Sequence, residues 1–519
     1  MTTRPMAVSK KAVVSSSSLP SSLIGAEIIR KGGNVFDALV ATSLALAVTQ
    51  NNLCGLGGDM FAILRTANGN VRAINGSGRA FESLSIEHFR EKGLDKLPPR
   101  GIDAAITVPG MVMALNDIHS RYGSMEQSDL ISPALALARD GFGVTENYSH
   151  SIAVSKKYLS QYNGWKNIFN PNDLIPEPGS LFRQKDLAGT LDSLKGDGLA
   201  SYYKGHLADR IIDGLKRQGS QISSSDLGKH TSTWVDPLSV DYNGFRFYET
   251  APNSQAVTAL LWLNLLRQTG KAPEELSDSE IIEMGLIAYS ARDREITDPI
   301  YHPLPSDFLT DSFASRLLSQ AQVKHPHSGK HKQGDTTYFC IADSEGNSAS
   351  VIQSNYMGFG SGIVPEGTGF VMQNRGSYFS LDPEHHNSLK GGKRTFHTLC
   401  ASMIERSGKF AASIGTMGGD IQPQIHIQLF MNFLRGMNPQ ASLDKARWAF
   451  PYSIYETPEK LQYEDTAQEM ELKKLGNKLS LEYTGFSSQL GHAQIVQTNR
   501  HGLVEGGADP RGDGISISV

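Results

Sequence analysis

Cysteine is scarce in this chain of 519 residues: Cys54, Cys340 and Cys400 are all it has. Three are too few for a disulfide framework, and no CxxC spacing offers a metal or redox pair, so buried thiols are expected. Long apolar runs are also missing. The longest, residues 38–48, contains Thr42 and Ser43 and is too short to span a bilayer. Neither sign of charge dominates, since 49 basic and 53 acidic residues leave a net charge of −4. That balance gives no electrostatic reason to bind nucleic acid or an anionic membrane surface. The N-terminal stretch MTTRPMAVSKKAVVSSSSLPSS holds no sustained apolar core and does not read as a signal peptide, so the cytoplasm is the expected location. No repeat of solenoid or propeller period is present. The glycine-rich residues 55–58 (GLGG) lack the GK[ST] ending of a phosphate loop, and no nucleotide is expected. His385, His386 and His397 match no standard zinc spacing, so neither a metal nor another cofactor is expected.

What is present is organised around residues 334–362, GDTTYFCIADSEGNSASVIQSNYMGFGSG. Residues 337–342 are rich in β-branched and aromatic types, and residues 348–353 form a second such run. Between them residues 343–347 supply turn chemistry, with Gly346 able to take a positive φ, which predicts a β-hairpin. A turn centred on Glu345–Gly346 sets Ser354 opposite Thr337, one residue from Thr336. A second hydroxyl is thereby returned to the Asp335-Thr336-Thr337 start of the hairpin.

That pairing has a chemical use if the chain is cut before Thr336. A threonine hydroxyl inside a chain is a weak nucleophile. At a new N-terminus it gains its own base, an α-amine with a pKa of about 7.7–8.0. The bland alternative is an ordinary edge hairpin that uses Thr for β-propensity.

The rest of the chain supplies mixed elements. Helices are expected over residues 23–31, ending at Gly32-Gly33, and from an Asn34 cap to about Gln50. Further helices are expected at residues 110–121, 132–140, 207–218 and 277–294. Residues 60–66 and 71–75 form a hairpin that delivers Gly76-Ser77-Gly78-Arg79. Residues 242–249 and 367–374 read as strands, and residues 170–179 as a surface turn. Residues 398–404 and 409–414 read as a third hairpin, in which Thr398 faces Met417 and His397 faces Gly418. Asp420 is placed as the cap of a helix running to about Phe433, with Gly418-Gly419 just before its N-terminus. The basic residues 325–332 (HPHSGKHK) read as a flexible segment. Strands in hairpins plus separate helix blocks imply antiparallel sheets covered by helices, an α+β fold.

Residues 334–362 resemble the start of the small subunit of γ-glutamyltranspeptidases, which are N-terminal-nucleophile hydrolases. Residues 32–65 (GGNVFDALVATSLALAVTQNNLCGLGGDMFAILR), 76–79, Lys393-Arg394, 415–419 (GTMGG) and 509–511 (DPR) follow in the family's order. The resemblance covers nearly the whole chain. It implies a four-layer αββα sandwich. It also implies cleavage between Asp335 and Thr336 into a large fragment (1–335) and a small one (336–519), both in one domain. The fragments would stay together as a heterodimer, with a dimer of these left open. Many relatives are exported, so the missing signal peptide departs from the pattern.

The resemblance also assigns roles. Thr336 is the nucleophile and Ser354 the supporting hydroxyl. Gly418 and Gly419 match the pair whose N–H groups form the oxyanion hole. Arg79 matches the arginine that binds the carboxylate of a γ-glutamyl group, a task suited to a bidentate guanidinium. The remaining substrate positions depart from the family. Tyr356 stands for Asn, Arg375 and Tyr378 for Gln and Asp, and His397 and Thr398 for paired Ser. The carboxylate anchor is kept while the α-amine anchor is lost, which opens acyl groups such as glutaryl. Only 13 residues (SLDPEHHNSLKGG) separate Phe379 from Lys393, too few for the family's lid loop, so hydrolysis is expected to exceed transfer. The leading reading is a self-processing amidase for γ-glutamyl, glutathione-like amides. A glutaryl or oxamate acylase, or a non-catalytic scaffold, are the alternatives.

Overall fold

The computed structural model describes residues 2–104, 106–320, 334–450 and 460–519, with the backbone alone for residues 334, 335, 477 and 478. The basic segment at residues 325–332 lies outside the described residues. Two seven-stranded antiparallel sheets form the centre. In spatial order the first runs Ile515–Ser518, Ala12–Ser16, Gly334–Asp343, Ser348–Met357, Asp59–Arg65, Val71–Gly76, Thr233–Val235. The second runs Ala7–Ser9, Val504–Ala508, Ala493–Thr498, Lys409–Thr416, Ser402–Arg406, Phe245–Glu249, Leu238–Tyr242. Strands from before and after Asp335 interleave in both sheets.

Alternating side chains give each sheet two apolar faces, and three cores result. Val13, Phe61, Tyr338, Ile352, Met403 and Val496 fill the space between the sheets. Helices Leu19–Arg30 and Val35–Thr49 cover the outer face of the first sheet. Helices Val257–Arg267, Asp278–Glu295 and Gln422–Leu434 cover the second. The order helix, sheet, sheet, helix is the expected αββα sandwich. Val35–Thr49 is buried along its whole length, as its unbroken small and aliphatic sequence requires. Asn34 caps it, accepting from the backbone of Phe36 and Asp37 while Asp37 accepts from Asn34.

The helices expected at 110–121, 132–140, 207–218 and 277–294 form as Met111–Tyr122, Gln127–Asp140, His206–Lys216 and Asp278–Glu295. Several expectations are corrected. The first helix begins four residues early, at Leu19, because Pro20 suits a first turn. Residues 242–249 are not one strand. Leu238–Tyr242 pairs with Phe245–Glu249 around Asn243-Gly244, both at positive φ, an Asn-Gly hairpin turn. Residues 367–374 are not a strand either. Gly367 and Gly369 take positive φ, and a Cβ on Gly369 would sit 2.1 Å from Leu187 N, so the segment threads past a helix. The third hairpin starts only at Ser402 and has a bulge between Ile404 and Glu405. His397 instead bridges to Ser254, so the pairs Thr398–Met417 and His397–Gly418 do not form. Asp420 caps nothing: the helix starts at Gln422, and the Asp420 carboxylate turns to Arg292 and Tyr378.

Candidate active site

The hairpin Gly334–Asp343/Ser348–Met357 closes through three residues, 344–346, with Gly346 at φ 88°. A two-residue turn was expected, and the odd loop moves the register by one. Thr337 pairs with Gln353, not with Ser354. A bulge between Asp335 and Thr337 then sets Asp335 opposite Tyr356 and leaves Thr336 facing Ser354. Thr336 Oγ1 donates to Ser354 Oγ at 3.1 Å, and both residues are 1% exposed. Ser354 Oγ also accepts from Tyr356 N at 2.7 Å. Bulges re-aim a side chain in this way.

Two neighbours hold Ser354. Its strand pairs with Asp59–Arg65, Ser354 lying opposite Asp59. Gly58 passes so close that a Cβ there would sit 2.4 Å from Ser354 O. The GLGG stretch is therefore a tight backbone passage, as expected from its sequence. On the other side Ser17 Oγ lies 2.8 Å from Thr337 Oγ1.

Gly418 and Gly419 follow strand Lys409–Thr416 at φ 137° and 58°. Among the described residues neither N–H donates to another group. Gln255 secures this turn: its Nε2 donates to Gly419 O and to Thr398 O, both at 3.0 Å, and its Oε1 accepts from Arg292. Farther back, Asp509 binds Arg447 and Arg511, and Arg447 Nη1 donates to the carbonyls of Leu490 and Gly491. His492 O accepts from Met417 N, so the DPR motif braces the turn from behind.

Asp59 is a hub that sequence reasoning did not single out. Its Oδ1 accepts from Gly78 N, Gly110 N and Gln373 Nε2. Its Oδ2 accepts from His397 Nε2 at 3.0 Å. Leu399 N donates to His397 Nδ1, which fixes the proton on Nε2. Burial pushes the Asp59 carboxyl up to about 7, against Arg375 and its hydrogen bonds. Burial, with Arg375 and Arg394 nearby, holds the His397 ring neutral. Both His397 nitrogens are thus occupied by the protein. Thr398 Oγ1 is buried with no partner among the described residues. The legible signal for Asp59 was a lone acid in an otherwise apolar run, GLGGDMFAIL.

Tyr356, Arg375 and Tyr378 come together beside Ser354. Tyr356 has φ 78°, strained for a residue with a Cβ, and such outliers gather at functional sites. The Arg375 guanidinium lies 4.2 Å from its ring centre and 5.1 Å from that of Tyr378. Tyr378 OH donates to Asp420 Oδ2 at 2.7 Å. Arg79 follows the Gly78 turn, half-buried; its carbonyl accepts from Val108 N, and its side chain has no hydrogen bond or ion pair among the described residues. Arg394 reaches that turn from the C-terminal part of the chain, donating to Ser77 O at 3.0 Å. The loop at residues 380–392 is pinned. Lys393 Nζ donates to His386 O and Ser388 O, and Asn387 Nδ2 donates to Tyr378 O.

A family model described as gamma-glutamyltranspeptidase matches residues 21–519. The "Glutathione hydrolase-like YwrD proenzyme" of Bacillus subtilis (strain 168) is 35% identical, over 99% of each chain. The "Oxamate amidohydrolase proenzyme" of Klebsiella pneumoniae subsp. pneumoniae is 33% identical, over 99% of this chain and 98% of that protein. The crystal structure of cephalosporin acylase from Bacillus halodurans superposes with a TM-score of 0.92 at 33% identity, over 100% of this chain and 98% of that one. The chain belongs to the γ-glutamyltranspeptidase family of N-terminal-nucleophile hydrolases.

Proposed function

We propose that this enzyme cuts its own chain between Asp335 and Thr336 and then hydrolyses γ-glutamyl or closely related acyl amides through an ester on Thr336. The observation that carries this reading is the 3.1 Å contact of Thr336 Oγ1 with Ser354 Oγ, in a hairpin that starts at the proposed cut. In self-cleavage Thr336 Oγ1 attacks the Asp335 carbonyl, the C–N bond breaks to give an ester, and water hydrolyses it. The freed α-amine then takes the Oγ1 proton as Oγ1 attacks the donor carbonyl. The donor C–N bond breaks, the amine leaves with that proton, and water releases the acid. Gly418 N–H and Gly419 N–H face the negative oxygen, a contact worth about 10²–10³ in rate per donor group.

The two fragments remain one heterodimer, because both contribute strands to both sheets. No helix among the described residues is long and apolar enough to cross a membrane, and the cytoplasm is the proposed location. The relatives' names carry glutathione, oxamate and cephalosporin, so the acyl pocket, not the fold, decides the donor. A glutaryl-type donor is a second reading, favoured by Arg375. The test is amine release from γ-glutamyl, glutaryl and simple amides by purified, processed enzyme. Turnover of at least one by wild type and of none by Thr336→Ala is expected. A single uncut band with no turnover would leave a non-catalytic scaffold.

A further inference from the structure

Arg375 is 1% exposed, yet among the described residues its Nε, Nη1 and Nη2 have no hydrogen-bond partner. A buried charge without a partner is among the costliest arrangements in a fold. The protein holds this one by its faces. Tyr356 and Tyr378 lie 4.2 and 5.1 Å from the guanidinium carbon, measured to ring centres. Stacking of this kind fixes the plane of the group while leaving its N–H edge open. The rings are themselves fixed. Tyr378 OH donates to Asp420, and the Tyr356 ring packs on that of Tyr378 with ring centres 4.7 Å apart. The acids whose fields reach Arg375 are Asp59 and Asp420, and neither pairs with it. Asp59 is satisfied by four other donors, and Asp420 by Arg292 and Tyr378.

The group sits within the reaction centre. Tyr356 is opposite Asp335, the residue before the nucleophile, and Asp59 is opposite Ser354. Asp420 directly follows Gly419. Adjacent strands are about 4.8 Å apart, so Tyr356 lies one strand from Asp335 and Thr336, and the Arg375 guanidinium packs on the Tyr356 ring. Resting on the reading of Thr336 as nucleophile, we infer that Arg375 selects the acyl group: its open edge takes a carboxylate at the far end of the acyl chain, and its charge turns away an ammonium there. The favoured donors are monoamides of short dicarboxylic acids, of glutaryl type, ahead of γ-glutamyl amides. Arg79, half-buried at the turn, supplies a second and more solvated positive charge.

The experiment compares glutaryl-, γ-glutamyl- and butyryl-p-nitroanilide, which share a leaving group, on self-cleaved wild type and Arg375→Gln. Wild type is expected to prefer glutaryl over butyryl in kcat/KM by about 30-fold or more. Arg375→Gln is expected to collapse that ratio towards one and to raise γ-glutamyl relative to glutaryl. A second readout needs no variant: glutarate should inhibit wild type competitively, at least about tenfold more tightly than butyrate. Equal use of glutaryl and butyryl by wild type would overturn the assignment and leave Arg375 a structural counter-cation for Asp59 and Asp420. So would an unchanged ratio in a folded Arg375→Gln. Hydrolysis of none of the three by the self-cleaved chain would instead overturn the amidase reading, and the inference with it.

Discussion

Thr336 Oγ1 donates to Ser354 Oγ at 3.1 Å across the bulge that opens the hairpin Gly334–Asp343/Ser348–Met357. In the proposed mechanism Ser354 aims the attacking oxygen. Ser354→Ala should slow both self-cleavage and donor turnover by roughly tenfold, in kcat more than KM. Ser354→Thr, which keeps the hydroxyl, should recover most of the loss. A gel time course with steady-state rates checks this, and an Ala variant as fast as wild type would remove Ser354 from the chemistry.

Arg79 offers its guanidinium from a half-buried turn. Arg79→Ala should lower kcat/KM on the best carboxylate-bearing donor by about tenfold, mostly through KM, while the chain still cuts itself. The effect should be smaller than that of Arg375→Gln, because solvent screens an exposed charge pair. Unchanged kcat/KM would take Arg79 out of the site.

Hydrolysis should dominate transfer. The loop at residues 380–392 is short and is pinned by Lys393 and Asn387, which leaves it little length or freedom to act as a lid. A lid keeps water from an acyl-enzyme while an amine acceptor arrives. With a good donor at mildly alkaline pH, glycylglycine should change total turnover little. A several-fold rise with transfer product in excess would contradict this.

Asp59 makes folding stability depend on pH. Its folded carboxyl titrates near 7, against an ordinary 3.8, so the folded chain holds a proton that the unfolded chain releases. The stability this group contributes is complete below about pH 4 and is lost as pH rises through about 7. Asp59→Asn lacks the titration. Its Tm relative to wild type should therefore rise between about pH 5 and pH 8. A relative Tm that falls over that range would mean that the ionised carboxylate is the stabilising form.

Much of the fold was legible because local rules and burial agree. The Asn34 capping box and the apolar run behind it could hardly form anything but a buried helix. Registers were less legible. One residue of loop length moved the pairs from Thr337 to Ala342 by one, and a bulge, invisible in the sequence, restored the expected pairing at Gly334 and Asp335 and left Thr336 facing Ser354. The Asn243-Gly244 turn was a readable hairpin signal, but strand Leu238–Tyr242 before it was missed. The family pattern placed Arg375 at a substrate position. Its open edge depends on where two tyrosine rings and two already satisfied carboxylates lie in space, which no spacing encodes.

The central claim is that Thr336 becomes the N-terminus of a catalytic fragment. Purified protein should run on a denaturing gel as two bands of about 36 and 20 kDa, in proportion to their shares of 519 residues and 56.4 kDa. Edman sequencing of the smaller band should begin Thr-Thr-Tyr-Phe, and Thr336→Ala should remain one uncut chain. A small fragment beginning at any other residue, or cleavage that persists in Thr336→Ala, would contradict the account.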